Sequence, residues 1–476
     1  MELQYGRSER GHETVLYRGY EYWRDRVNKC GTVVWRCSKR QRLNCKARLT
    51  TNGNRVVCDR NPEHNHAGNH QEYVARRAVN DMKTMMSDIT STPSSSQAVV
   101  MQGLSNATLM ALPECAKVTR TLQRERKRTT ARGNDGEALP PVPRDRAFEI
   151  PVSFRDIVLY DSGADDENRM IIMGCDELLD ALGRSDFWLC DGTFKVVPTI
   201  YFHLYSVHFT FAPGMTPAAL YVLLPNKTEA TYVRMVQEIK RLIPTASPQT
   251  ILTDFEKAAM NAFAVEFRGI TVITGCYFHL AQSVLRKVNN LGMKEKYENN
   301  EVFRCYVRSL PALAFVPEAD VQEAFDILVD AKPGDEHSHE NLDALLAFFE
   351  QTYVRGKRLR GRTETYGPAL FPIALWNKYE AGVEGAARTN NAVEGWHYGL
   401  QALFQCHHPT MWSFMTGIQR DIQKQKATLM QGVTGVERQS SKNYRQLNDK
   451  VKRAVAGFGR TEVLTYLRTI AFVSYS

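Results

Sequence analysis

Along the first sixty residues, polar and apolar positions alternate with a period of two. Short runs rich in aromatic and β-branched residues recur at Val15-Leu16-Tyr17, Tyr20 with Tyr22-Trp23, Val33 to Cys37, Lys46 to Leu49 and Arg55 to Cys58, and Asn52-Gly53 marks a tight turn between the last two. That pattern predicts a small β-meander. From about Glu72 to Met86 the spacing becomes helical, Ser91 to Ser96 breaks it, and Leu112-Pro113 opens another helix through Thr121 to Arg128. Gly133 to Pro143, with Pro140-Pro141, reads as a linker. Beyond it, Phe187 to Asp191, Tyr201 to Phe211 and Ala218 to Leu224 read as three successive strands. A helix follows over Tyr232 to Ile243, then a strand over Thr250 to Thr253, a helix over Phe255 to Phe267, a strand over Ile270 to Thr274 and a helix from about Leu280. Strand patterning nearly vanishes between Lys294 and Tyr379, and helical pattern resumes at Asn391.

Three strands followed by alternating helices and strands is the element order of an RNase H-like core. The expected fold is therefore an α/β RNase H-like core with a helical insertion, preceded by a small metal-stabilised β-domain and a helical linker domain. The corresponding boundaries are 1–70 for the β-domain, 71–132 for the basic helical domain and 133–149 for the linker. The first part of the core takes 150–293, the insertion 294–385, and 386–476 holds the helix that completes the core and the C-terminal helices.

Charge changes this picture because of where it sits. The chain of 476 residues carries a formal net charge of +9, yet residues 1–70 alone hold 14 Lys/Arg against 7 Asp/Glu, and residues 116–132 hold 7 against 1. The remainder is net acidic, so the basic charge is confined to the N-terminal modules. Such a distribution suits the gripping of a polyanion by the N-terminal part, although a solvated basic face has the same composition. No apolar run approaches the roughly 20 residues that span a bilayer, and the charged start lacks a signal-peptide pattern, so neither a membrane partner nor secretion is expected. The ten cysteines are too sparse for a disulfide scaffold and read as thiols or metal ligands.

Cys37 and Cys45 flank a basic loop, and His64 and His66 follow 19 residues on. Two thiolates and two imidazoles satisfy tetrahedral zinc, and a β-unit with so small a core needs such a staple. Cys30 and Cys58 are competing ligands; Cys58 is placed in a core strand and Cys30 in a turn. Lys39, Arg40 and Arg42, between the two thiolates, are candidate phosphate contacts. The basic run containing Arg120, Arg124, Arg126, Lys127 and Arg128 is a candidate DNA-binding helix, a nuclear localisation signal, or both.

Asp191 and Asp254 each stand at the tip of an apolar strand, where a carboxylate is costly unless paired or bound to a cation. In an RNase H-like sheet the first and fourth strands are neighbours, so both acids would enter one cleft. Glu394, 140 residues beyond Asp254, could add a third ligand from a helix. Three hard oxygen ligands suit Mg²⁺ or Mn²⁺ rather than zinc. Cys276 and His279 form a Cys-x-x-His without a second ligand pair nearby, which points to a role beside the cleft rather than to zinc; Arg388, Asn390 and His397 would line the same cleft. Trp188, Trp376 and Trp396 are assigned to the core, and Cys406-His407-His408 to a helix end.

Two groups of residues carry a family resemblance. Tyr20, Tyr22-Trp23-Arg24, Trp35-Arg36-Cys37, Cys45-Lys46-Ala47-Arg48 and His64-Asn65-His66 resemble the FLYWCH-type zinc finger, which implies zinc at Cys37, Cys45, His64 and His66 and binding to DNA or protein. Asp191-Gly192-Thr193-Phe194, Thr253-Asp254 with Ala258-Ala259, Cys276-Tyr277-Phe278-His279, and Arg388-Thr389-Asn390-Asn391 with Glu394 and His397 resemble the transposase domain of Mutator-like elements. That resemblance implies Asp191, Asp254 and Glu394 as a DDE catalytic triad using Mg²⁺ or Mn²⁺ for DNA cleavage and strand transfer. It further implies double-stranded transposon ends and target DNA as partners, a nuclear location, and at least a homodimer to hold two ends together. The competing reading is a domesticated descendant that binds DNA as a nuclear regulator without catalysis.

Overall fold

The computed structural model describes residues 3–474 apart from 9–11, 61–62, 69, 89–90, 133–138, 213, 270, 334–338, 360–364, 386–387 and 436–441. The expected linker thus lies partly outside the described residues, as does Ile270 at the start of the last expected strand. The chain divides into two units, Met1–Pro141 with Pro151–Ser153, and Val142–Ile150 with Phe154–Ser476.

In the first unit the two-residue alternation forms β1 (Gln4–Arg7), β2 (Glu13–Tyr17), β3 (Tyr20–Val27), β4 (Val33–Cys37), β5 (Arg48–Asn52) and β6 (Arg55–Arg60), one antiparallel sheet in chain order. A one-turn helix, α1 (Arg40–Leu43), sits between β4 and β5. The β5–β6 turn is Gly53-Asn54, one residue later than expected, because Asn52 still pairs with Arg55 and Gly53 takes the positive φ of +53°. One face buries Val15, Tyr22, Trp35, Ala47 and Leu49 together with Cys37 and Cys45, so two of seven core positions are thiols. Strand β1 was not expected from the sequence, since its four residues are mostly exposed.

Helices α2 (His70–Met85), α3 (Pro93–Met101), α4 (Asn106–Ala111) and α5 (Cys115–Arg132) complete this unit. The Ser91 to Ser96 stretch, read as a break, instead starts α3. Thr92 and Ser95 form a reciprocal capping box, and Pro93 takes the first turn, where its missing N–H costs nothing. Met82, Met86, Val118 and Leu122 make the small core that joins α2 to α5. Tyr73 and Asn80 of α2 donate to the carbonyls of Gln4 and Arg7 at 2.9 and 3.2 Å, covering the outer edge of β1.

The second unit is built on a seven-stranded mixed sheet. Its strands are β7 (Val158–Asp161), β8 (Ile171–Met173), β9 (Phe187–Thr193), β10 (His203–Phe209), β11 (Ala218–Leu224), β12 (Thr250–Thr253) and β13 (Val272–Gly275), in the spatial order β13-β12-β9-β10-β11-β8-β7. Neighbours from β9 to β7 run antiparallel, whereas β12 is parallel to β9 and β13 to β12. Strands β10 and β11 are buried at every residue, so both faces of the sheet are covered. On one face lie α7 (Glu229–Leu242) and α8 (Lys257–Glu266), where Tyr232 and Phe263 meet Tyr205. The other face receives α6 (Asp176–Gly183), α16 (Asn391–Phe404) and α17 (Met411–Val433). Helices α16 and α17 approach closely at Gly417, where a Cβ would come within 2.1 Å of Phe404 Cε1.

After β13 the chain is helical. It runs through α9 (Tyr277–Asn290), α10 (Lys294–Asn299), α11 (Glu301–Ala312), α12 (Val321–Asp330), α13 (His339–Phe349), α14 (Ile373–Trp376) and α15 (Tyr379–Glu384) before returning to the sheet as α16. The last two helices, α18 (Lys442–Val455) and α19 (Val463–Val473), pack on α15 and on α11 and α12, so the C-terminus closes onto the inserted helices rather than the sheet. Trp188 and Trp376 are fully buried, their indole N–H groups donating to the carbonyls of Leu182 and Tyr353.

Candidate functional site

Strands β9 and β12 set the register of the acids. Leu189 pairs with Leu252, so Asp191 and Asp254, each two residues further on, stand at the same level of adjacent parallel strands. Period-two alternation puts Asp191 on the face of Leu189, and Asp254 follows one residue past the end of β12, close enough for its charge to act on Asp191. Val393 of α16 packs on that leucine pair, with Trp396 beside it, which brings Glu394 to the same edge of the sheet. Asp191 lies inside β9 rather than at its end, because β9 continues against β10 through Thr193 after β12 has turned away.

Asp191 is 5% exposed. Burial first, and then the charges of Asp254 and Glu394, hold its carboxyl well above the usual carboxylate range. Burial likewise raises Asp254 and Glu394. Three carboxyl groups thus share one poorly solvated neighbourhood in which negative charge is disfavoured, the situation that a bound cation reverses. Among the described residues, no point brings single oxygens of all three within 4.8 Å of one another, so they do not form the shell of one ion.

Two neighbours fix Asp191. The Gly192 N–H donates to Oδ1 at 2.8 Å, and Asn390 Nδ2 donates to Oδ2 at 3.0 Å. Asn390 is itself fully buried, accepting from the Cys276 thiol at 3.0 Å while its backbone N–H donates back to Cys276 Sγ at 3.4 Å. Burial pushes the Cys276 thiol up to about 11, so it stays protonated and donates. Cys276 therefore orients Asn390, which orients Asp191. Its position at the N-terminus of α9 places His279 in the first turn of that helix.

His279 Nε2 stands 3.9 Å from Glu394 Oε1, and His397 Nδ1 3.8 Å from Asp191 Oδ2. These spacings would suit ion pairs, but burial pushes both imidazoles down to about 4, so the contacts are uncharged at neutral pH. The second nitrogens, His279 Nδ1 and His397 Nε2, are buried without a hydrogen-bond partner among the described residues. Both rings line a cavity of about 370 Å³ shared with Asp191, Glu394 and Lys195. Asp254 is not among the residues that line it. Arg388 does not line this cavity: its carbonyl accepts from the Tyr277 N–H, while its guanidinium donates to Asn448 of α18 and lies over the Phe315 ring.

In the first unit Cys37, Cys45, His64 and His66 bring one ligand atom each within 4.8 Å of the others. Cys37 Sγ lies 3.2 Å from His66 Nε2, Cys45 Sγ 3.3 Å from His64 Nδ1, and the two histidine nitrogens are 3.3 Å apart. Tetrahedral zinc, with Zn–S near 2.3 Å and Zn–N near 2.0–2.1 Å, spaces its ligands by about 3.3–3.8 Å, so the four atoms fit that ion. Each imidazole uses its remaining nitrogen: His66 Nδ1 lies 2.8 Å from the Ala67 carbonyl and His64 Nε2 3.0 Å from the Tyr22 hydroxyl. Such outer contacts fix ring orientation and tautomer in metal sites. Tyr20 stacks on His64 at 3.6 Å. Burial pushes the Cys37 thiol up to about 11, a penalty on the thiolate that zinc removes. Cys30 and Cys58 stand outside the cluster.

Residues 5–66 match the FLYWCH zinc finger domain family, and residues 187–283 match the MULE transposase domain family. The chain carries a MULE transposase domain. No curated protein matches it. The MULE domain match covers β9 through the first half of α9, including Asp191, Asp254, Cys276 and His279, while Asn390, Glu394 and His397 lie beyond it. The FLYWCH zinc finger coincides with β1 to β6 and the Cys₂His₂ site. Together the two domains imply DNA binding, and no helix among the described residues is long and apolar enough to cross a membrane.

The basic residues divide by environment. Arg40 and Arg42 are exposed on α1, whereas Lys39 is held by Glu72 at 3.0 Å. On α5, Arg120, Arg124, Lys127 and Arg128 are exposed, with Arg128 paired to Glu125. Arg126 is half-buried, donating to the Ser91 carbonyl and to the Asp88 carbonyl at 3.3 Å, so it ties the α2–α3 turn to α5. Sequence reasoning gave Lys195, Gln282, Tyr398 and Gln401 no role, although all four line the acid cavity. On α16 the positions 394, 397, 398 and 401 follow helical i, i+3, i+4, i+7 spacing from Glu394, a signal that could have found two of them.

Proposed function

We propose that the chain is a cut-and-paste DNA transposase whose α/β unit is an RNase H-like DDE nuclease and strand transferase, and whose N-terminal unit binds transposon terminal inverted repeats. The observation that carries this reading is the placement of Asp191 and Asp254 at one level of adjacent parallel strands, with Glu394 brought over them by Val393. The sheet order with three antiparallel strands followed by two parallel ones supports the RNase H-like assignment. Asp191, Asp254 and Glu394 would divide between two Mg²⁺ or Mn²⁺ ions rather than close on one, and an all-oxygen donor set suits either metal. Bound there, the metal supplies activation of a water or a 3′-hydroxyl and stabilisation of the leaving oxygen.

The remaining residues prepare the site. Asn390 holds the Asp191 carboxylate in one orientation, and Cys276 holds Asn390. His279 and His397, neutral at physiological pH, line the cavity beside Glu394 and Asp191 and would border a phosphate entering it. Lys195 gives the same wall a positive charge. The exposed arginines of α1 and α5 supply phosphate contacts in the first unit. Synapsis of two ends requires at least a dimer, and a chromosomal substrate places the protein in the nucleus.

The test is cleavage of DNA bearing the element's terminal repeats by the full chain. Wild type should nick it only with Mg²⁺ or Mn²⁺, and Asp191→Ala should not. Equal cutting by the two proteins refutes the catalytic assignment. Binding to the repeats without metal-dependent cutting by wild type would instead establish a domesticated DNA-binding regulator.

A further inference from the structure

We propose that the aromatic wall of the acid cavity is a subsite for an unstacked nucleobase, adjacent to the phosphate that Asp191 and Glu394 would process; this rests on the nuclease reading above. Three large rings line that cavity while remaining open to solvent: Phe194 is 46% exposed, Phe278 37% and Tyr398 70%. They come from three separate elements, the segment after β9, α9 and α16, so their convergence is a product of the fold rather than of one apolar run. Exposed aromatic area concentrated at one cavity marks a binding surface.

The wall is preorganised and carries polar groups of the right kind. Phe194 is held by Phe202, edge-on at 5.6 Å and 87°, and by Lys227 at 6.0 Å from its centroid. Gln282 and Gln401 line the same cavity, one turn along their helices from Phe278 and Tyr398. Each amide offers both a donor and an acceptor to the edge of a base. A ligand that uses all of this has a flat π-face, a hydrogen-bonding edge and a phosphate within reach of Lys195 and the acids. A nucleotide has all three, whereas an aromatic peptide side chain lacks the phosphate.

Within a duplex both faces of a base are covered by its neighbours. The rings can engage only a base that has left the stack, so the subsite favours DNA that is unpaired or distorted at the scissile step. Stacking of this kind is tolerant of base identity, because every base presents a π-face. The subsite would therefore act on where the strand opens and not on which sequence is read.

Photo-crosslinking of the full-length Asp191→Asn protein tests this without dependence on cleavage. The probe is a duplex with one 5-iododeoxyuridine, either paired with adenine or left unpaired in a single-nucleotide bulge, and adducts are located by peptide mass spectrometry. We expect the unpaired probe to crosslink at Phe194, Phe278 or Tyr398 and the paired probe to lose those adducts. Tyr398→Ala should lower the yield roughly five-fold or more, and Tyr398→Phe should keep it. Because Tyr398 is largely exposed, neither change threatens folding. Adducts that map elsewhere, equal yields from the two probes, or an unchanged Tyr398→Ala would overturn the proposal. Site-specific adducts in a protein whose wild type never cuts DNA would leave the subsite standing and refute the nuclease reading alone.

Discussion

Replacing Asp191 by Asn keeps the side-chain shape and removes its charge, and its effect on stability should change sign with pH. In the variant the Gly192 N–H retains an acceptor, but an amide now faces Asn390 Nδ2 in place of the carboxylate oxygen that it bonds at 3.0 Å. Near pH 4 the raised carboxyl is protonated, so loss of this hydrogen bond costs about 0.5–1.5 kcal/mol. Opposing this, the wild-type carboxyl is raised by burial and by the charges of Asp254 and Glu394. A carboxyl whose folded-state pKa lies above its unfolded value of about 3.9 contributes stability below that pH and loses it as pH climbs through the folded value. The loss is at most about 1.4 kcal/mol per pH unit for each such group. The variant should therefore be the less stable protein near pH 4 and gain on wild type by up to that slope as pH rises. Saturating Mn²⁺ should reverse the gain, since a ligand at a hundred times its Kd adds about 2.7 kcal/mol to the form that binds it. Urea titrations followed by tryptophan fluorescence suit the measurement, because Trp188, Trp376, Trp396 and Trp412 all belong to the α/β unit. A stability difference that stays flat with pH, or equal stabilisation of both proteins by Mn²⁺, would refute the buried-acid cation site.

Four further perturbations probe other parts of the molecule. Cys276→Ala deprives Asn390 of its thiol donor and should cut metal-dependent nicking about 10- to 100-fold with DNA affinity unchanged, by analogy with other outer-shell losses; full activity in that variant would show that the contact does not orient Asp191. Cys45→Ala should abolish uptake of one zinc per chain, measured by metal analysis, and expose residues 3–60 to protease, since structural zinc supplies about 10–16 kcal/mol to such modules. Arg124→Ala should lower the slope of log affinity against log salt by about 1, whereas Arg126→Ala should leave the slope unchanged and lower the melting temperature, and the opposite ranking would reverse the assignment of the two faces of α5. Gly417→Ala drives a methyl against Phe404 and should destabilise the α/β unit by about 1–3 kcal/mol in thermal unfolding, with an unchanged melting temperature as the contrary outcome.

Much of the element order was legible because it rests on local periodicity. The five longer strands of the meander, the run from β9 to β13 and the helical block after α9 all follow patterns carried by consecutive residues. Strands β1, β7 and β8 were missed because β1 is mostly exposed, β7 is half-buried at every residue and so shows no alternation, and β8 has only three residues. The start of α3 was misread as a break because Thr92, Pro93 and Ser95 are turn formers in isolation and become a cap only when a helix follows.

The sequence alone determined which chemistry was available: two thiols and two imidazoles at metal-ligand spacing, acids beside apolar strands, and a basic charge confined to the N-terminal third. Residue identity and short-range spacing suffice for that, because they do not depend on how distant segments meet. Tertiary structure decided the rest. It set Asp191 and Asp254 level through the pairing of Leu189 with Leu252, and carried Glu394 over them across 140 residues of chain. It also tied Arg388 to Asn448 and Arg126 to the α2–α3 turn, and gathered Phe194, Phe278 and Tyr398 around one cavity. Side-chain direction and burial are properties of packed surfaces, and no local pattern encodes which surfaces will pack.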